Sequence, residues 1–181
     1  MTPFSLEEII RGTRYHEAGH AVASYHHGFS LTRVRVTDAE CITSYRTKHP
    51  NSEFRGWTDL WREACVTMAG PLADQRALWG EMRPEPWTEF LAEAEQELES
   101  VEDGEEWLRS DHSDLLQLLR RMGGDPTMDA GPEESYRIVL EDSRALVNEF
   151  WAEIEAVARA LEEKDTLGGP EVVRSIEQTT K

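Results

Sequence analysis

Apolar positions along this chain recur every three or four residues over most of its length and alternate with polar ones over one short stretch, which predicts helices with a minor sheet. From Thr58 to Gly80, Leu60, Ala64, Met68, Leu72, Ala73 and Ala77 hold the helical repeat. Pro71 lies inside that repeat and is expected to bend the helix, because proline lacks an amide donor and crowds the preceding turn. Trp87, Phe90, Leu91, Ala94, Leu98 and Val101 predict an amphipathic helix. Ser113 to Met122 predicts a short one, stopped by Gly123, Gly124 and Pro126. From Pro132 a single long helix is expected, its stripe running from Tyr136 through Val139, Val147, Phe150, Ile154 and Val157 to Leu161. At the other end a helix spans about Ser5 to His27, with Ser5 and Glu8 in capping-box spacing and Gly28 just past its end. Between these, Val34 and Val36 alternate with Arg33 and Arg35, the mark of a half-buried strand. Cys41 to Tyr45 reads as a weaker second strand, and Asn51 to Gly56 as loop. The expected fold class is therefore mainly α (α+β), with a small β-sheet beside the first helix and residues 1–181 forming one domain.

Charge narrows the possible partners. Nineteen basic against 36 acidic residues leave a net charge of −17, which repels phosphate backbones and anionic membrane surfaces, so nucleic acid and membrane are not expected partners. More than half of that charge sits between Pro84 and Glu106, which holds ten acidic residues and neither Lys nor Arg. With its apolar stripe, this stretch reads as an acidic helix packed by one face. The first thirty residues lack the pattern of a signal peptide, and no apolar run reaches the length of a bilayer span, so a soluble, cytoplasmic protein is expected. Cys41 and Cys65 are far apart, outside any metal-ligand spacing, and read as reduced thiols.

The chemistry concentrates at His16-Glu17-Ala18-Gly19-His20. Positions four apart stack on one face of a helix, so His16 and His20 can offer imidazole nitrogens to one metal ion while Glu17 lies alongside. Ala18, Gly19, Ala21 and Ala23 keep the flanks small, as close approach of other groups to a metal requires. Hydrolytic Zn²⁺ takes three protein ligands and a water, and a neighbouring carboxylate can accept that water's proton, the role expected of Glu17. The third ligand must come from elsewhere, with Glu63, Asp74, Asp111, His112 and Asp114 as alternatives.

Three stretches, in order over nearly the whole chain, resemble the peptidase domain of the FtsH family of ATP-dependent zinc proteases. Tyr15 to Ala21 is similar to that family's active-site sequence, Ala69 through Gly80 to its small-residue helix, and Ala160 through Gly168 to its C-terminal segment. The resemblance implies a helical zinc peptidase fold and, as third ligand, an aspartate followed by leucine, here Asp114-Leu115. With Ser113 as N-cap, Asp114 would also sit in a first helical turn, where the dipole favours an ionised carboxylate. Glu63 and Asp74 then read as surrounding groups, Asp74 as one that orients a ligand histidine. The chain departs from the family in having Pro71 where a basic residue is usual, an insert from Pro84 to Glu106, and no Gly-rich phosphate loop.

The expected function is ATP-independent zinc-dependent hydrolysis of peptides or unfolded protein segments, with Zn²⁺ as cofactor and the substrate paired along the strand edge at Val34 and Val36. A non-proteolytic zinc-binding module that docks a partner by its acidic helix is the alternative. An enzyme active only as a homo-oligomer or beside a separate unfoldase is a third.

Overall fold

The computed structural model describes residues 4–37, 41–46, 56–100, 110–124 and 131–179. Among these the chain is mainly helical, with three short strands. Helix α1 (Leu6–His26) begins at the expected capping box: the Ser5 hydroxyl accepts from the Glu8 amide, and the Glu8 carboxylate accepts from the Ser5 amide. Helix α2 (Trp57–Trp79) ends at Gly80, whose φ of 75° is the left-handed conformation that closes a helix. It runs through Pro71 as one helix.

Packing of α1 on α2 is the most extensive contact between elements, and small residues make it possible. A Cβ placed on Gly19 would lie 2.6 Å from the Ala69 carbonyl oxygen, and one on Gly70 2.4 Å from the His20 ring. Two glycines on facing helices thus let α2 reach the imidazoles of α1, and Ala18, Ala21, Ala69 and Ala73 fill the seam without exposure.

Strands β1 (Ser30–Val36), β2 (Cys41–Arg46) and β3 (Thr166–Gly168) form an antiparallel sheet in the order β2-β1-β3. Val34 is opposite Thr43 on one side and Leu167 on the other. Burial alternates as expected over the end of β1, with Val34 and Val36 inward. The substrate edge expected at Val34 and Val36 is corrected by this order. β1 is the middle strand, and β2 is the outer strand that meets the histidine-bearing face of α1.

Helix α3 (Trp87–Ser100) carries the acidic stretch and buries Phe90 and Ala94, as its stripe predicts; Val101 and the rest of that stretch lie outside the described residues, as do 51–55 of the expected loop. Helix α4 (Asp111–Gly123) starts earlier than expected, because Ser110 and not Ser113 is the N-cap, its hydroxyl accepting from the Ser113 amide. The expected single long helix is two, α5 (Pro132–Glu149) and α6 (Trp151–Glu163). They break at Phe150, whose φ of −104° and ψ of 23° leave the helical region, and its ring stacks on His26 at 3.5 Å. The break turns α6 onto α1, where Glu153 pairs with His26 at 2.6 Å. A short helix α7 (Gly169–Glu177) follows β3 and inserts Val172 and Ile176 into the core. No helix of the described residues is long and apolar enough to cross a membrane.

Candidate metal centre

Because α1 turns once in 3.6 residues, His16 and His20 stand one above the other, their Nε2 atoms 3.0 Å apart. What each ring does at Nδ1 decides what it offers at Nε2. The His20 Nδ1–H donates to the Val66 carbonyl at 2.8 Å, and the His16 Nδ1–H to Asp74 Oδ2 at 3.1 Å. Neither acceptor has a proton to give, so each ring carries hydrogen on Nδ1, and both Nε2 atoms, the positions that an ion would take in place of a proton, point at one place. This is the usual manner in which outer partners orient metal-ligating histidines. Asp74, expected to orient a histidine, is the residue that accepts from His16.

The carboxylate that meets them is Asp111. Its Oδ2 lies 2.7 Å from His16 Nε2 and 3.2 Å from His20 Nε2, and these three residues form a group able to share one ion. The resemblance points to Asp114, and the difference has a local cause. With Ser110 as cap, Asp111 is the first residue of α4 and Asp114 lies nearly a turn further on, in the wall of the cleft instead of at the imidazoles. Glu63 does not join the group of three, and His112 faces away from it, toward Glu85.

Electrostatics at this point favour a cation. Burial opposes charge on His16, yet the carboxylates of Asp111 and Asp74 outweigh it and hold the imidazole up at about 10. His20 is likewise penalised by burial and raised by Asp111. Burial would raise Asp111, but the two imidazoles pull it well below the usual carboxylate range. Two imidazoles and a carboxylate whose ligand atoms meet at one point form a donor set of the type that holds Zn²⁺.

Glu17 is next to the group but not part of it. It is 5% exposed, and the Thr43 hydroxyl lies 2.8 Å from its Oε2 and 2.9 Å from its backbone oxygen. One hydroxyl has one proton, so Thr43 donates to either acceptor in turn and ties β2 to the glutamate. A cleft of about 410 Å³ runs over these groups, between β2 on one side and the start of α4 on the other.

Thr43, the Val66 carbonyl and Gly70 were not legible as parts of the site. A backbone oxygen has no sequence signature, and Thr43 reaches Glu17 only because of the β1–β2 register. Asp111 was among the alternatives, and Ser110 three residues before Ser113 was the cap signal that would have singled it out.

No protein-family model matches this chain, and no curated protein matches it at a significant level.

Proposed function

We propose that the protein is a zinc metallopeptidase that hydrolyses peptides or unfolded protein segments without ATP. The observation that carries this reading is the convergence of two oriented Nε2 atoms and the Asp111 carboxylate beside a buried glutamate that is free of the ligand group. His16, His20 and Asp111 would hold the ion, which when bound supplies Lewis acidity toward a carbonyl oxygen and toward water. Glu17 takes a proton from the attacking water and returns it to the departing amine nitrogen. Thr43 holds the carboxylate in line while that proton is moved. β2, as the outer strand along the cleft, offers backbone groups to an extended substrate in place of the edge first expected at Val34 and Val36. The resemblance of Tyr15 to Ala21 to the FtsH active-site sequence points the same way.

Purified protein is expected to bind about one Zn²⁺ per chain, and Glu17→Gln to keep the ion while losing hydrolysis of a casein-like unfolded chain by at least ~100-fold. Metal analysis beside a peptidase assay, with and without ATP, checks both. Loss of zinc in the variant would make Glu17 a ligand. Zinc binding without hydrolysis by the unaltered protein would favour the partner-docking module. Stimulation by nucleotide would remove ATP independence. A stably folded domain should resist, since opening one costs about 5 to 15 kcal/mol that hydrolysis at a bare site does not supply.

A further inference from the structure

A groove of about 350 Å³ continues the metal centre's cleft past the imidazoles, sharing His16, Glu17 and Cys41 with it. It runs back toward the start of α1, with Ile9, Gly12 and Thr13 on one side and Leu78 of α2 on the other. Helical spacing puts Ile9, Thr13 and His16 on one face of α1, and Leu6 lies one turn before Ile9. Leu78 lies directly on α1 because position 12 has no side chain: a Cβ there would be 3.1 Å from Leu78 Cδ1.

The exposed apolar side chains of the protein collect here. Among the described residues, Leu6, Ile9, Ile42 and Trp79 are the large apolar ones left open to solvent. Ile9 is 52% exposed and lines the groove, and Ile42 stands in the cleft on the other side of the metal centre. Leu6 extends the Ile9 stripe, and Trp79 follows Leu78 at the end of α2. Single exposed apolar residues are ordinary, but several along one groove mark a surface that is covered in use. A second copy of this chain does not suit the groove, because its inner end is His16 and Glu17 and a subunit seated there would close the metal centre. A substrate chain must pass the same two residues, and the groove is where it continues beyond them.

We propose that this groove is an apolar subsite remote from the scissile bond, in which Ile9 and Leu78 receive a large apolar side chain of the substrate; the inference rests on the peptidase reading. A helix rises about 1.5 Å per residue, which sets Ile9 roughly 10 Å along α1 from His16, and an extended chain covers that distance in about three residues. The substrate residue selected is thus about three places from the bond that is cut. It lies on one side of that bond only, since Ile42 and the outer strand β2 border the other half of the cleft. The inner part of the groove, beside Thr13 and Asp74, is polar, so selection falls at the Ile9 end and not next to the bond.

The test uses zinc-loaded protein. Cuts made in an unfolded casein-like chain, mapped by mass spectrometry, are expected to show Leu, Ile, Met or Phe enriched about two to four residues from the bond, on one side. A peptide around a favoured cut should lose at least ~10-fold in kcat/KM when that residue becomes asparagine. Ile9→Asn should bring the two peptides within ~2-fold of each other, whereas Ile42→Asn should keep their ratio. Ile9→Glu should favour a peptide with lysine at that position, a new preference that a merely misfolded variant would not acquire. In the Glu17→Gln background, fluorescence anisotropy should rank the peptides in the same order. Hydrolysis without the enrichment, or with it only next to the bond, overturns the subsite and leaves the peptidase reading standing. Ile9-dependent selective binding without turnover upholds the subsite and removes the peptidase reading. Absence of both binding and hydrolysis overturns both. A dimer that Ile9→Glu splits, seen by sedimentation, would make the groove an interface between copies and overturn the proposal.

Discussion

A single aspartate decides how the centre is built. Asp111 Oδ2 touches both imidazoles, whereas Asp114 borders the cleft from nearly a turn further along α4. Asp111→Ala is therefore expected to weaken zinc binding by more than the ~10- to 100-fold typical of a lost outer-shell partner, and Asp114→Ala by less than that. Chelator competition ranks the two, and the opposite order would return the ligand role to Asp114. Both histidines and the glutamate were plain in the sequence, because helical geometry alone places residues four apart on one face. The aspartate was not, since its place depends on which of Ser110 and Ser113 caps the helix, and each is followed by an aspartate in its first turn.

At the scale of elements, the centre exists because α1 and α2 approach closely. Gly70 leaves room for the His20 ring, and a methyl group there would overlap it. Gly70→Ala is expected to lower the melting temperature and to weaken zinc binding by at least ~10-fold, since the ring must leave the geometry that Val66 imposes. Gly56, with nothing near its Cβ position and an ordinary φ of −65°, serves as the control: alanine there should leave metal affinity unchanged. An unaffected affinity in Gly70→Ala would show that α2 yields more readily than its packing suggests. The capping box marked α1 and apolar spacing marked α2 and α3, although 17–24 of α1 and 64–70 of α2 are buried on every side. Periodicity missed the break at Phe150, because the stripe continues in phase from α5 into α6 and neither Gly nor Pro marks the boundary. It likewise missed β3, three residues too short to display alternation.

Across the whole molecule, the proposed ligands join parts that otherwise meet indirectly. His16 and His20 belong to α1, while α4 packs chiefly on α2, α3 and α5. An ion held by all three residues would tie the first helix to the fourth, so folding and metal binding should be linked. Free zinc at 100 times its dissociation constant is expected to stabilise the protein by about 2.7 kcal/mol relative to chelated protein, and Asp111→Ala should lose most of that gain. Denaturant unfolding with zinc and with chelator measures it, and equal midpoints would mean that the ion does not bind the folded state preferentially.

Because β3 pairs with the edge of β1 opposite β2, residues near the end of the described chain cover a row of amide and carbonyl groups on a strand near its beginning. A chain cut short before Thr166 would uncover that row on a strand holding Val34 and Val36. Bare strand edges template pairing with other chains. The last segment therefore shields that edge, and proteolytic trimming before Thr166 is expected to make the protein self-associate, which light scattering would register.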